Sequence, residues 1–142
     1  MAGLKEAGHS EIDPNTPVPL LVIAACPVDN RPDGAPRLSG QLNIKIKQDS
    51  LAFRIYRKTV TAEPFTCNYE LSPDYRGKLE AAGMRVSGVS ADGGARIIEL
   101  PDHRFFIGTG FVPQLSSEEN KPHPLIVAFL KAALESGENK KK

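Results

Sequence analysis

Several things are missing from this sequence, and each absence removes a class of function. A charge excess is missing: 18 Lys and Arg stand against 17 Asp and Glu, a formal net charge of +1. Without a global field there is nothing to draw in a polyanion, and no nucleic-acid role is expected. Long apolar runs are missing as well. Leu20-Leu21-Val22-Ile23-Ala24-Ala25 is the most apolar stretch, and it is far too short to span a bilayer. The segment from Met1 to Glu11 is polar and has no apolar leader core, so no membrane role and a cytoplasmic location are expected. Cysteine is scarce. Cys26 and Cys67 are too few for a disulfide framework, and their spacing fits no zinc pattern, so free thiols are expected. There is no internal repeat and no low-complexity tract. Gly88, Gly93 and Gly94 have the wrong order for a phosphate loop. No cofactor and no metal site is expected.

What remains has ordinary globular chemistry. The chain has 142 residues, 40% hydrophobic and 25% charged, enough for one domain with a core that needs no disulfide or metal. Residues 1–137 read as that domain. Residues 138–142, ending in Lys140-Lys141-Lys142, read as a disordered basic tail.

Proline dominates residues 13–37, interrupted by the apolar run from Leu20 to Ala25, which reads as a short buried strand. Leu42 to Lys47 alternates apolar and polar residues and reads as a strand with one wet face. Ser50 to Arg57 is ambiguous, with a short helix as one reading, and Thr66 to Leu71 reads as a strand. A helix follows, with Ser72 as its cap, Pro73 in its first turn and Gly83 at its end. Met84–Ser90 and Ala95–Leu100 flank the turn at Ala91-Asp92-Gly93-Gly94, a hairpin pattern. Phe105 to Phe111 reads as a further strand. The last helix opens at Pro124, carries Leu125, Ile126, Phe129, Leu130, Ala133 and Leu134 on a face expected to be core, and ends at Gly137. Two main helices on a largely antiparallel or mixed sheet make this an α+β chain.

Four stretches, in order, resemble the class I glutamine amidotransferase domain of the CTP synthase family. Ser10-Glu11-Ile12-Asp13-Pro14-Asn15-Thr16-Pro17 is similar to the family's S-T-E-F-D-P-D-T-x-H-P segment. Arg37-Leu38 before a strand resembles its G-G-T-M-R-L-G stretch. Residues 72–100 match most fully, through Glu80 to Gly88 and Ile97 to Leu100. Pro101 to Phe106 then leads to Phe111-Val112-Pro113-Gln114, and Pro122-His123-Pro124-Leu125 opens the last helix. Around Cys26 and at Thr66-Cys67-Asn68-Tyr69 the chain also resembles a bacterial group related to the CTP synthase C-terminal region. The resemblance runs from about residue 9 to residue 134 and implies a remnant of the class I amidotransferase α/β fold.

The chemistry that the resemblance implies is altered. Glutamine hydrolysis needs a thiolate, a histidine to take its proton and a carboxylate to orient that histidine. The family's cysteine sits on a strand-to-helix elbow upstream of every matched segment, so a truncated domain without that elbow is expected. Its histidine and glutamate belong to the motif Q-F-H-P-E, which here reads Gly110-Phe111-Val112-Pro113-Gln114. Val112 cannot move a proton, and the Gln114 amide cannot stabilise an imidazolium by charge. The family's basic loop, R-H-R-H-R-Y, becomes Pro64-Phe65-Thr66-Cys67-Asn68-Tyr69, in which only the tyrosine is kept.

A remodelled pocket is therefore expected between the Cys67 loop and the Phe111–Gln114 segment, built from Cys26, Phe65, Asn68, Tyr69, Phe111, Val112 and Gln114. Cys67, His9 and Glu63 are its candidate catalytic groups. Two of these have a plainer reading: Cys67 as a small packed side chain, Glu63 as a cap. His103 reads as a turn residue and His123 as an exposed helix cap. The expected function is binding or transforming a small molecule by proton transfer, cyclisation or isomerisation. The alternative is a non-catalytic partner or regulatory subunit. Apolar faces left without the missing half call for cover, by a second copy in a homodimer or by a partner chain.

Overall fold

The computed structural model describes residues 2–24, 39–66 and 69–138. Cys26, Cys67, Asn68 and the basic tail from Asn139 onward lie outside the described residues. So do Ala25 and Arg37-Leu38.

Strands and helices alternate irregularly along the chain. The order is β1 (Ala7–His9), β2 (Val18–Ile23), β3 (Ser39–Ile46), α1 (Leu51–Tyr56), β4 (Val60–Thr66), β5 (Tyr69–Leu71), α2 (Pro73–Ala81), β6 (Arg85–Val89), β7 (Ala95–Glu99), β8 (Ile107–Thr109), a 3-10 turn (Pro113–Ser116) and α3 (Pro124–Glu138). Two sheets result. The larger has the order β4-β3-β6-β7-β8, and every neighbouring pair in it is antiparallel. The smaller is β1-β2-β5, with β1 parallel and β5 antiparallel to β2. These mixed sheets carry three helices, one more than the two main ones expected.

The additional helix is α1, and its capping explains why so short a segment is helical. Ser50 accepts a hydrogen bond from the Phe53 amide at 3.0 Å, and Arg57 closes the helix in the left-handed region at φ 54°. Two further first-turn amides, of Leu51 and Ala52, donate to the carboxylate of Glu99 at 3.1 and 3.2 Å. Glu99 lies on β7 and is fully buried. A carboxylate from a distant strand thus satisfies donors that a short helix leaves orphaned, and ties α1 to the sheet.

The core sits where β3 and β7 meet α1 and the start of α3. Ile44, Ile46, Ala52, Ile97, Phe111 and Leu125 form it, with Leu42, Phe53 and Phe65 packed on its rim. The alternation in β3 is as expected: Ile44 and Ile46 point inward, Asn43 and Lys45 outward. At Gly88 the hairpin leaves no room for a side chain, since a Cβ there would lie 2.7 Å from Ile97.

Several expectations are corrected. β2 is half-buried rather than buried, and Ile23 at its end is 71% exposed. Ser72 makes no side-chain cap bond; its amide instead donates to the Leu20 carbonyl at 2.9 Å, joining α2 to β2. The strand expected over Phe105 to Phe111 is only Ile107–Thr109, and Phe111 belongs to the core. α3 runs one residue past Gly137, so Glu138 is helical rather than tail. The face expected to be core on α3 is not. Leu125 is buried, but Phe129, Leu130 and Leu134 are 56%, 54% and 71% exposed. The half-buried side instead follows Ala128, Ala132 and Ser136. No helix among the described residues is long and apolar enough to cross a membrane.

Candidate functional site

Among the described residues, the expected site residues do not gather in one place. Some fall in a buried polar cluster around Glu63, and others in a cavity lined by His9 and Tyr69.

Glu63 organises the buried cluster. It lies on β4 with 3% of its surface exposed, yet its carboxylate is well supplied with donors. The Tyr56 hydroxyl donates to Oε1 at 2.7 Å and the Thr61 hydroxyl to the same oxygen at 3.2 Å. His123 Nε2 lies 3.1 Å from Oε2, and the Ser116 hydroxyl is at 3.5 Å. Four elements therefore meet on one carboxylate: α1, β4, the 3-10 turn and the entry to α3.

The His123 tautomer follows from its second nitrogen. Nδ1 accepts the Leu125 amide at 3.2 Å, so the ring proton sits on Nε2 and points at Glu63. His123 does cap α3, as its carbonyl also accepts from Ile126 and Val127. It is not exposed, however; only 4% of its surface is accessible. No local pattern signals the pairing, because Glu63 and His123 are 60 residues apart. Burial, and then the hydrogen bond to Glu63, push the Tyr56 hydroxyl well above the usual phenol range, so it stays a neutral donor.

The second region is a cavity of about 250 Å³ between the two sheets. Among the described residues its apolar walls are Leu21, Leu71, Ala95 and Ile98, and Gly108 and Gly110 form a side-chain-free edge. Its polar groups are His9, Tyr69, Glu70, Arg96 and Thr109. The His9 and Tyr69 rings touch, with centroids 4.7 Å apart. Arg96 is largely buried and paired with Glu70 at 3.0 Å, with Asp92 at 3.6 Å, and donates from Nε to Ser90 at 2.8 Å. The Ser90 hydroxyl in turn holds the Asp92 carboxyl below the usual range.

Of the expected pocket, His9 and Tyr69 are thus brought together. Phe65 and Phe111 pack in and around the core. Glu63 faces inward and is not on the wall of this cavity. Val112 is half-buried and its amide donates to the Pro64 carbonyl at 3.1 Å, which fastens the 110–114 segment to β4. Gln114 is exposed on the 3-10 turn. Cavity residues Arg96 and Thr109 carry no motif that singles them out in sequence.

No family model matches the chain. Curated relatives do. It is 37% identical over 139 residues to the CTP synthase of Staphylococcus aureus strain NCTC 8325 / PS 47, covering 97% of this chain and 26% of that protein. The CTP synthase of strain JH9 gives the same identity and coverage. The chain spans about a quarter of the length of these curated relatives. Among solved structures, the glutaminase domain of Trypanosoma brucei CTPS with bound acivicin superposes with a TM-score of 0.85 at 25% identity, covering 95% of this chain and 53% of that chain. Sequence and fold agree: the chain is homologous to the C-terminal glutamine amidotransferase region of CTP synthase.

Proposed function

We propose that this glutamine amidotransferase-like chain does not hydrolyse glutamine, and that it binds or transforms a small molecule at the cavity beside His9 and Tyr69. One observation carries the reading. Val112 and Gln114 stand where the motif of the resembled family has the proton-accepting histidine and the carboxylate that orients it. Loss of either group costs roughly four to six orders of magnitude in a hydrolase of this kind. No described histidine is placed to substitute. His123 is held between Glu63 and the Leu125 amide, His9 lines the cavity between the two sheets rather than the Val112–Gln114 positions, and His103 is exposed in a turn beside the Phe105 carbonyl.

The same reasoning limits what the remaining groups do. Glu63, saturated with donors, holds the 3-10 turn in place. If the cavity supports turnover, the reaction is a proton transfer, cyclisation or isomerisation, with Cys67 as the thiol to test. Unchanged turnover in Cys67→Ala would remove the thiol from that scheme. The test of the whole proposal is glutamate release from glutamine by the purified protein, for which we expect background only.

A second reading has an observation of its own. Phe129, Leu130 and Leu134 leave an apolar stripe of α3 open to solvent, and such stripes are commonly covered by a partner. This favours a homodimer or a partner subunit. Light scattering at micromolar concentration should give the dimer mass; a monomer mass would sink the homodimer.

A further inference from the structure

His9 invites the role of a base, but the backbone around it argues for the opposite. β1 and β2 pair in parallel, and their register slips between Gly8 and His9. An irregularity of this kind turns a side chain out of the regular strand alternation. The chain then folds back at once, with the amides of Ile12 and Asp13 both donating to the His9 carbonyl at 2.9 and 3.0 Å. In that turn the Glu11 amide points at the imidazole and donates to Nδ1 at 3.1 Å.

A backbone amide can only donate. Nδ1 is therefore the unprotonated nitrogen of the neutral ring, and Nε2 carries the proton. Nε2 has no hydrogen-bond partner among the described residues. Contact with Tyr69 fixes the ring plane. Taking a proton at Nδ1 would break the Glu11 bond and set two donors against each other. His9, which lines the cavity, is thereby held with Nε2 as its hydrogen-bond donor.

The charges around the cavity select what the donor meets. Arg96 is the one permanent cation among the described lining residues, and it is engaged by Glu70 and Asp92. Among the described residues, two carboxylates against one guanidinium leave that end of the cavity with no positive excess. A ligand carboxylate gains nothing there, whereas an uncharged oxygen accepts from His9 without repulsion. Leu21, Leu71 and Ile98 offer the rest of the ligand apolar contact.

We infer that the cavity takes a small uncharged carbonyl compound, an amide, lactam or ketone, whose oxygen accepts a hydrogen bond from His9 Nε2. The inference rests on the proposed small-molecule role of this cavity and names its ligand class. His9 is the residue that determines specificity.

The test uses isobutyramide and isobutyrate, two probes of the same shape that differ in charge. Long-range proton–nitrogen spectra of the labelled protein should show the Nε2–H tautomer for His9. Isobutyramide should shift the His9 and Tyr69 signals, and isobutyrate should bind at least about fivefold more weakly. Two variants separate the nitrogens. Asn can still accept the Glu11 amide but cannot reach the cavity as Nε2 does, whereas Gln places an amide donor near the Nε2 position. His9→Asn should lose about fivefold or more in isobutyramide affinity, and His9→Gln should retain most of it. A protonated Nδ1, equal binding of both probes, or full affinity in His9→Asn each overturns the inference and leaves the small-molecule role standing. If neither probe binds while the Nε2–H tautomer is present, the ligand class is wrong and the cavity's small-molecule role loses its support with it.

Discussion

Replacing Glu63 should cost this protein a large part of its stability, and the structure indicates how much. Glu63→Ala removes a carboxylate that is 3% exposed and leaves the donors of Tyr56, Thr61 and His123 facing an apolar gap. Breaking one side of a buried charged network costs about 3–5 kcal/mol. A domain of this size has about 5–15 kcal/mol in total, so the variant forfeits a large fraction of it. Tyr56→Phe removes only the 2.7 Å bond to Oε1, one neutral donor on a charged acceptor, worth about 1.5–3 kcal/mol. The two losses share a bond and should not add. A double-mutant cycle with Glu63→Gln and Tyr56→Phe should return a coupling energy above about 1 kcal/mol. Urea unfolding followed by circular dichroism reads all of these as midpoint shifts at constant slope. A loss under about 1 kcal/mol for Glu63→Ala, or additive effects in the cycle, would mean that the carboxylate is solvated and that the four elements are not joined through it.

Two further outcomes follow from packing and titration. The Tyr56 hydroxyl titrates above its unfolded value of about 10, so its contribution to stability is complete below that pH and is lost as pH rises through the folded value. Its near-ultraviolet phenolate signal should therefore appear only together with loss of the circular dichroism signal, and Tyr56→Phe should delete that late step; early ionisation of Tyr56 in the folded protein would contradict this. Gly88→Ala puts a methyl group within 2.7 Å of Ile97, and should lower stability by about 1–3 kcal/mol in the same urea assay, with a neutral result showing that the β6–β7 bulge can relax.

Much of the fold was legible because its signals are local. The alternation in Leu42 to Lys47, the turn at Asp92-Gly93 and the proline that opens α3 each act within a few residues, and all three elements formed. α1 was only a possibility from sequence, since half of its capping comes from Glu99 on a strand that lies far along the chain. The inward face of α3 was misread for a related reason. Its apolar residues exceed what α1 and the 3-10 turn can cover, and periodicity alone does not say which side is covered. The site was legible only as a set of replacements, Val112 and Gln114 above all. What His9, Glu63 and His123 do depends on which nitrogen or oxygen meets which amide, and those contacts arise from tertiary structure.

The proposed absence of glutamine chemistry at the 110–114 segment is read out by glutamate release from glutamine in the unaltered protein and in a Val112→His/Gln114→Glu variant, measured side by side. Because Pro64, Phe65 and Thr66 also stand where the resembled family has basic residues, restoring the two catalytic groups should not restore the site. Background release from both proteins is the predicted result; release above background from the unaltered protein would contradict the account outright, and release from the variant alone would show that only two residues had been lost.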